Sequence, residues 1–411
     1  MKRMDLMTRR KYLEALQQEY RTASRRSKTR TLDEYIKNTG HNRKYIISRL
    51  NDPGLLSPPV RIKKSRKPSY GPAVTGTLET VWEIFDYPCG QRLKPILTAE
   101  LDRLRQFREI IISDDLAAKL KKISPATIDR KLKDKKKHLK KFHFSTTRPG
   151  SLLKRKIAVR LTQWDTSRVG YLEADLVAHC GSSAASHYIN TLSLDEIYSG
   201  WWEGQAIMGK GQSAALEALK KLHARTPFNW QGLDSDNGGE FINIPLWKYC
   251  TEKEIEFTRS REYRKNDNAY VEQKNWTHVR KLLGYQRYDT PQELTIINSL
   301  YDNELRLYKN FFQPVMKLSI KKRIGGKLIR KYYPPETPFK KLLQSKQISA
   351  EQKQKLQDLY QTLNPAQLKR AIAQKLDALH QAYLNKHKSC LSADRLTVIS
   401  SKRKEVAMVR F

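Results

Sequence analysis

The spacing of apolar positions changes about two fifths of the way along the chain. Before this point they recur every three or four residues, as in Leu13, Leu16 and Tyr20, which is typical of helices with one buried face. From about residue 169 they alternate with polar residues, which predicts strands. The pattern predicts three strands first, at Gly170–Val177, 186–194 and Trp201–Met208. A mixed α/β layer is therefore expected to follow the helical segments.

The predicted core continues with helices and shorter strands. An amphipathic helix is predicted over 212–224, strands at Phe228–Leu233 and Ile255–Thr258, and a long helix over 266–284. Beyond it, 290–314 predicts a helix and 349–387 an amphipathic helical region. Between them, 315–333 alternates apolar and basic residues around Gly325 and Gly326, which indicates a β-hairpin.

Two helical pairs early in the chain are candidates for helix-turn-helix DNA-binding units. In the first, a capping box at Thr31–Glu34 begins one helix, Gly40 provides the turn and Asn42 caps a basic helix within His41–Leu50. In the second, residues 115–120 lead to a helix that begins at Ser124 and Pro125. Two such units in series predict recognition of an extended duplex. An ordinary helical hairpin is the alternative for the first unit.

The charge is high and unevenly distributed. The 411 residues include 79 Lys and Arg against 42 Asp and Glu, a net charge of +37. Residues 1–160 carry +24, residues 161–290 carry −2 and residues 291–411 carry +15. Cationic segments of this strength neutralise phosphates, so nucleic acid is the expected partner. With no apolar run long enough to span a bilayer, no signal peptide and no CxxC pair among four cysteines, we expect a cytoplasmic, nucleoid-associated protein with free thiols.

Three carboxylates in the nearly neutral middle segment are the candidate chemistry. Asp175 lies in the first predicted strand, Asp236 follows the fourth, and Glu272 lies in the first turns of the long helix. Each alone has an ordinary explanation as a paired, turn or capping residue. Together they can converge, repelling one another unless cations lie between them, and oxygen ligands suit Mg²⁺ or Mn²⁺. Asp234 and Glu173, two residues earlier on the same sides of their strands, are the alternatives.

The contexts of these carboxylates resemble the DDE-type transposases and integrases, whose core has the retroviral-integrase variant of the ribonuclease H fold. The resemblance rests on Asp175, on Ser235–Gly238 and on Glu272, which follows Asp236 after 35 intervening residues. The segment 258–272, which would present the glutamate, also matches, and the similarity covers about residues 170–290.

The resemblance implies a two-metal phosphoryl transfer: 3′-end cleavage at the terminal inverted repeats of a mobile element, then strand transfer into target DNA. Asp175, Asp236 and Glu272 would hold two Mg²⁺ ions, for which Mn²⁺ substitutes, in a homo-oligomeric synaptic complex. A small basic β-barrel would follow the core. Residues 1–137 lack the His-His-Cys-Cys zinc domain of retroviral integrases, so bacterial insertion-sequence and phage transposases are the nearer comparison. A nuclease of the same fold and a catalytically inert DNA-binding repressor are the rival functions.

Basic residues of the helical units, of the linker between them and of the region around Glu272 are the predicted DNA contacts. They are Arg43, Lys44, Arg49, Lys63, Lys64, Arg130, Lys131, Lys133, Arg259, Arg261, Lys265, Lys274, His278 and Lys281.

The predicted fold class is multidomain, with all-α helix-turn-helix modules, a central α/β ribonuclease H-like core with a mixed sheet, a small β-barrel and a helical tail. The predicted segments are a first helix-turn-helix domain (1–51), a basic linker (52–72), a second helix-turn-helix domain (73–144), a linker (145–168), the catalytic core (169–312), the barrel (313–345) and the tail (346–411).

Overall fold

A computed structural model describes residues 4–52, 54, 69–137, 158–159, 167–236, 238–260 and 269–408. The chain divides into two compact units, Met1–Ser69 and Tyr70–Phe411. Across these described ranges, no helix combines the length and apolar character that crossing a membrane requires.

The first unit is a three-helix arrangement. Its helices are α1 (Leu6–Thr22), α2 (Arg25–Thr39) and α3 (Arg43–Asn51). The predicted turn is confirmed, since Gly40 ends α2 with a left-handed φ of 71° and the Asn42 side chain accepts the amide N–H of Lys44 to cap α3. The capping box at Thr31 is wrong: the cap of α2 is Ser24, seven residues earlier, because the first turns of α2 are polar and carry no apolar period. DNA binding by this unit stays a prediction.

The second unit begins with a helical block and continues into the α/β core. The block contains α4 (Pro72–Ile84), α5 (Gly90–Gln106), α6 (Asp114–Lys122), α7 (Pro125–Lys131) and α8 (Lys133–Lys137). The predicted cap of α7 is confirmed, because the Ser124 side chain accepts the amide N–H of Thr127.

The core strands and the helices between them follow in alternation. They are β1 (Ala158–Val159), β2 (Tyr171–Ala178), β3 (Ile189–Glu196), β4 (Trp202–Met208), α9 (Gln212–Arg225), β5 (Gly232–Ser235), α10 (Ile244–Glu252), β6 (Glu256–Arg259) and α11 (Ala269–Lys274). Among the described residues, the sheet order is β1-β6-β5-β2-β3-β4. The strands β2, β3 and β4 are antiparallel neighbours, whereas β5 and β6 run parallel to β2. This mixed sheet with helices is consistent with a ribonuclease H-like core.

The rest of the second unit is mainly helical. Its elements are a π-helical segment (Asn275–Arg280), α12 (Lys281–Leu283), α13 (Pro291–Leu300), a second π-helical segment (Tyr301–Leu305), α14 (Arg306–Phe312), β7 (Leu318–Ile324), β8 (Lys327–Tyr332), α15 (Pro338–Gln344), α16 (Ala350–Thr362) and α17 (Pro365–Met408).

Two predictions in the core need correction. The fourth strand begins at Gly232 rather than Phe228, because the alternating Phe228 and Trp230 are buried in the segment before it, where Trp230 stacks on His223. The long helix is interrupted by the π-helical segment that follows α11, and an apolar period does not distinguish this from a continuous α-helix.

The predicted β-barrel is also wrong for the described residues. Between 313 and 345 the structure contains the β7–β8 hairpin and the short helix α15, with no closed barrel. The alternating pattern identified the hairpin correctly, but the number of strands that would pair with it cannot be read from its own sequence. The hairpin side chains that the structure describes are exposed.

The helical block packs directly against the core and the C-terminal helices. Arg92 donates to the carbonyl of Pro314 at 2.7 Å, Tyr308 to the carbonyl of Ile84 at 2.6 Å and Arg103 to that of Leu363 at 3.2 Å. These contacts explain why the block belongs to the same compact unit as the sheet.

Asp86, at the end of α4, is the charged centre of this attachment. Its carboxylate accepts hydrogen bonds from Lys281 at 2.8 Å and from Lys369 at 3.1 Å. Burial disfavours its charge, but Lys309, Lys369 and Lys281 outweigh burial and lower the pKa of Asp86 to about 2. The ionised side chain therefore stabilises the folded unit.

We predict that Asp86→Asn lowers the free energy of unfolding at pH 7 by about 2 kcal/mol. Because the folded-state pKa is depressed, this stabilisation is present above about pH 4 and is lost as the pH falls toward 2. Asn tolerates the left-handed φ of 63° at this position. The change in the free energy of unfolding is measured by denaturant unfolding followed by tryptophan fluorescence, since all seven tryptophans lie in the second unit.

The matched control is Asp114→Asn, because the Asp114 side chain is 93% exposed in its pair with Arg105. An exposed pair of this kind contributes little, so the control should unfold like the wild type. A difference in the free energy of unfolding between Asp86→Asn and the wild type that stays constant down to pH 2 would contradict the prediction.

Candidate active site

Buried acidic residues cross the centre of the sheet in one line. Strand pairing places Glu173 of β2 directly opposite Asp195 of β3 and Asp234 of β5. Paired residues of neighbouring strands project from the same face, so the three carboxylates form what we call the acidic row. Each is at most 1% exposed. Buried charges of this kind require hydrogen-bond or ionic partners.

The helix α11 and strand β6 supply partners to the acidic row. One oxygen of Glu173, Oε2, accepts the backbone N–H groups of Tyr270 and Val271 at 3.1 Å each. Asp195 lies 3.5 Å from the ammonium group of Lys274, and the Thr258 hydroxyl donates to Asp234 at 2.5 Å. The row therefore attaches α11 to the sheet through both the start and the end of the helix.

Asp175 lies two residues beyond Glu173, on the same face of β2. Its Oδ1 accepts the N–H of Leu176 at 2.8 Å, and its Oδ2 accepts the side-chain amide of Asn275 at 2.7 Å. Asn275 begins the π-helical segment after α11. Single π-helical turns are frequent at functional sites, and here one places a side-chain donor beside a candidate catalytic carboxylate.

The other two candidate carboxylates approach from β5 and α11. Asp236 follows β5 and accepts the N–H of Gly238 at 3.0 Å, whereas Glu272 is exposed on α11. Burial, with added repulsion from the charges of Asp236 and Glu272, raises the pKa of Asp175 to about 7. Burial, assisted by Glu240, raises the pKa of Asp236 to about 6. The charges of Asp236 and Glu272 thus both act on Asp175.

The donor chemistry of this cluster fits a divalent cation. Carboxylate oxygens are the ligands that Mg²⁺ and Mn²⁺ prefer, and a cation would relieve the repulsion that raises the pKa of Asp175. Among the described residues, no three His, Cys, Asp or Glu side chains are gathered closely enough to hold a metal ion. The carboxylates therefore interact electrostatically without being arranged as a closed ligand set.

The two alternatives, Glu173 and Asp234, already interact with protein donors. Glu173 accepts helix amides and Asp234 accepts the Thr258 hydroxyl. Both side chains are buried, whereas Asp175 and Asp236 are only partly so. This difference favours Asp175 and Asp236 as the residues that could meet a cation.

Two of the three DNA contacts predicted on the long helix are buried. Lys274 and His278 are 5% and 8% exposed. Lys274 donates to the carbonyl of Gly200 at 2.8 Å, and His278 packs on the Trp202 ring. Their partners lie on β3, β4 and the connection between these strands, so helical spacing alone could not reveal them. Arg259, also predicted as a DNA contact, is a buried residue of β6.

The remaining predicted DNA contacts differ in their exposure. Arg43, Lys44, Arg130, Lys133 and Lys281 are exposed, although Arg43 pairs with Asp33 and Lys281 with Asp86. The half-buried positions are Arg49, which pairs with Asp52, and Lys131, which donates to the carbonyl of Tyr70. Lys63, Lys64, Arg261 and Lys265 lie outside the described residues. All of these stay predictions.

Sequence reasoning missed the attachment of α11 to the sheet. It considered Glu173 only as a metal ligand and did not single out Asp195. The available signal was an acidic residue within each of three apolar strands. The register that aligns them becomes known only once the strands are paired.

Fold and site together define a two-unit protein whose mixed α/β core carries clustered carboxylates on its central strands and on an overlying helix. No family model matches the chain. It is 36% identical over 339 residues to the uncharacterized protein y4rM of Sinorhizobium fredii (strain NBRC 101917 / NGR234), covering 82% of this chain and 96% of that protein. The chain belongs to the same family as y4rM.

Solved structures give looser matches. The catalytic core domain of BIV integrase is 16% identical, with a TM-score of 0.27, and the match covers 41% of this chain and 91% of that one. The HTLV-2 integrase catalytic core, a dimeric form in complex with magnesium, is 14% identical, with a TM-score of 0.27 and coverage of 39% and 92%. The assignment of the fold rests on the strand order of the sheet and not on these two matches.

We predict that Lys274→Met lowers the free energy of unfolding by about 3 kcal/mol, because it leaves the buried charge of Asp195 without its ammonium partner. The salt dependence of DNA affinity should be unchanged, since a buried lysine releases no counterions on binding DNA. Tryptophan-monitored unfolding and a salt titration of DNA affinity measure the two quantities.

Lys220→Met is the matched control. Lys220 forms an exposed pair with Glu217 and should alter stability little when replaced. A shallower salt dependence in Lys274→Met with unchanged stability would restore Lys274 as a DNA contact.

Proposed function

We propose that the chain is a DDE-type DNA transposase that binds the terminal inverted repeats of its mobile element, cleaves the 3′ ends and joins them to target DNA. The observation that carries the proposal is the electrostatic cluster of Asp175, Asp236 and Glu272. These are the three residues that match the family motif, and they lie on a central strand, after its parallel neighbour and on a helix.

Asp175, Asp236 and Glu272 would hold two Mg²⁺ ions, for which Mn²⁺ substitutes. Bound ions would activate a water or a 3′-hydroxyl and stabilise the leaving oxygen during in-line displacement. Asn275 orients Asp175 by donating to its Oδ2, while Leu176 donates to its Oδ1. Glu240 and Lys210 also act electrostatically on Asp236.

The β7–β8 hairpin supports a polyanionic partner. Seven Lys and Arg residues lie between 317 and 331, and no acidic residue interrupts them. Register places Lys322 opposite Ile329 and Arg323 opposite Leu328, so basic and apolar side chains share an exposed ribbon. Two-stranded hairpins are marginally stable alone, and a bound phosphate backbone would offset the repulsion among these cations.

The first unit supports recognition of the element ends. Its short helix α3 follows a glycine turn and exposes Arg43, Lys44 and Tyr45. A helix of this kind after a tight turn can enter a major groove. The transposase would act as a homo-oligomer that holds two ends together.

The test is a strand-transfer assay with the full chain. Purified protein is incubated with Mg²⁺, a supercoiled plasmid and a labelled duplex from the ends of the DNA segment that encodes it. We predict label joined to the plasmid by the wild type, none with Asp236→Asn, and unchanged duplex affinity. Asp377→Asn, which removes the same charge from an exposed position on α17, should join DNA like the wild type.

Other outcomes would contradict the proposal in distinct ways. Nicking without joining would favour a nuclease of the same fold. End-specific binding with neither reaction would favour a catalytically inert repressor. Joining by Asp236→Asn at the wild-type rate would remove the proposed site.

A further inference from the structure

We propose that Glu173 is a positioning residue that fixes α11, and with it Glu272, relative to Asp175. The inference rests on the proposed function, in which Glu272 and Asp175 act together. It assigns to Glu173 a role distinct from that of a metal ligand or of an ordinary strand residue.

The contact is specific and buried. The same oxygen, Glu173 Oε2, accepts the N–H groups of Tyr270 and Val271 at 3.1 Å, across 97 and 98 positions of the chain. The first amides of a helix have no acceptor within the helix itself. A carboxylate at this place satisfies them and is favoured by the helix dipole. Because Glu173 is 1% exposed, solvent does not substitute readily for it.

The position of Glu173 makes this contact relevant to the candidate active site. Glu173 and Asp175 occupy the same face of β2, about 7 Å apart along the strand. On the helix, Glu272 follows directly after Val271, whose N–H Glu173 accepts and whose side chain is fully buried. The strand β2 therefore carries both Asp175 and the carboxylate that holds α11. Glu272, the other candidate catalytic carboxylate, lies on that helix.

The end of α11 has an attachment of its own. Lys274 donates to the carbonyl of Gly200 and lies beside Asp195. Loss of Glu173 would therefore release the start of the helix, where Glu272 lies, while its end stays attached. The expected consequence is displacement of Glu272 rather than loss of the fold.

Glu196, at the end of β3, provides a matched control. It is also a buried carboxylate that accepts backbone amides, from Tyr198 at 3.0 Å, Ser199 at 2.6 Å and Gly170 at 3.2 Å. It contacts neither α11 nor the candidate carboxylates in any of these bonds. Replacing it tests what the loss of a buried amide acceptor does elsewhere in the same sheet.

The experiment compares the full-length wild type with Glu173→Ala, Glu173→Gln and Glu196→Gln. Hydrogen exchange by mass spectrometry reports on the amides of 269–274, and single-turnover 3′-end cleavage and end-duplex affinity are measured in parallel. In Glu173→Ala we expect faster exchange confined to the start of α11, about 100-fold slower cleavage because of misplacement, and unchanged affinity. Glu173→Gln keeps an oxygen acceptor and should recover most of both properties. Glu196→Gln should leave exchange in α11 and cleavage unchanged.

Several results would overturn the proposal. They are unchanged exchange at Tyr270 and Val271 in Glu173→Ala, wild-type cleavage despite faster exchange, or equal loss of cleavage in Glu196→Gln. If Glu173→Ala does not fold, Glu173→Gln replaces it: an uncharged acceptor is weaker, so exchange at Tyr270 and Val271 should still be faster than in Glu196→Gln, and equal exchange in the two variants overturns the proposal. If the wild type does not cleave DNA, the proposed function fails, and the exchange data alone decide whether Glu173 holds α11.

Discussion

Acidic side chains buried side by side on neighbouring strands must each be given a donor, and this requirement organises the centre of the molecule. Asp195, Glu173 and Asp234 lie in one register across β3, β2 and β5. A lysine, two helix amides and a threonine hydroxyl interact with them. Three of these four groups belong to α11, so the short helix is held by polar contacts at both ends as well as by the packing of Val271. An apolar sheet face would have left its placement less defined.

This arrangement places the candidate carboxylates Asp175, Asp236 and Glu272 where they are at least partly exposed. The acidic row contacts α11 from the sheet. Asn275, in the π-helical segment, donates a hydrogen bond to Asp175, and Glu272 is exposed to solvent. Burial raises the pKa of Asp175, and the negative charges of Asp236 and Glu272 raise it further. Repulsion of this kind favours cation binding, and it occurs in a chain whose remaining segments are strongly basic. The near-neutral segment and the cationic segments on either side of it in the sequence have the charges that the proposed function requires.

Much of the frame could be predicted from the sequence, because it depends on local patterns. The alternation at β2, β3 and β4, the helix α9 and the cap at Asn42 were all readable from single segments. The spacing of Asp236 and Glu272 also identified residues that the structure brings into electrostatic contact with Asp175. What could not be predicted depends on pairing between distant segments. Lys274 looked like a surface residue until Asp195 and Gly200 were placed beside it, and a hairpin pattern could not show that further barrel strands are absent from the described residues.

The central claim is that Asp175, Asp236 and Glu272 form one cation site on this frame. A crystal of the full chain soaked with Mn²⁺, with anomalous scattering used to locate the ions, tests this most directly. The account predicts Mn²⁺ bound to the carboxylates of Asp175 and Asp236, with Glu272 turned toward it, while Glu173 still contacts the amides of Tyr270 and Val271. Mn²⁺ bound only elsewhere, or bound by Glu173 with α11 displaced, would contradict it.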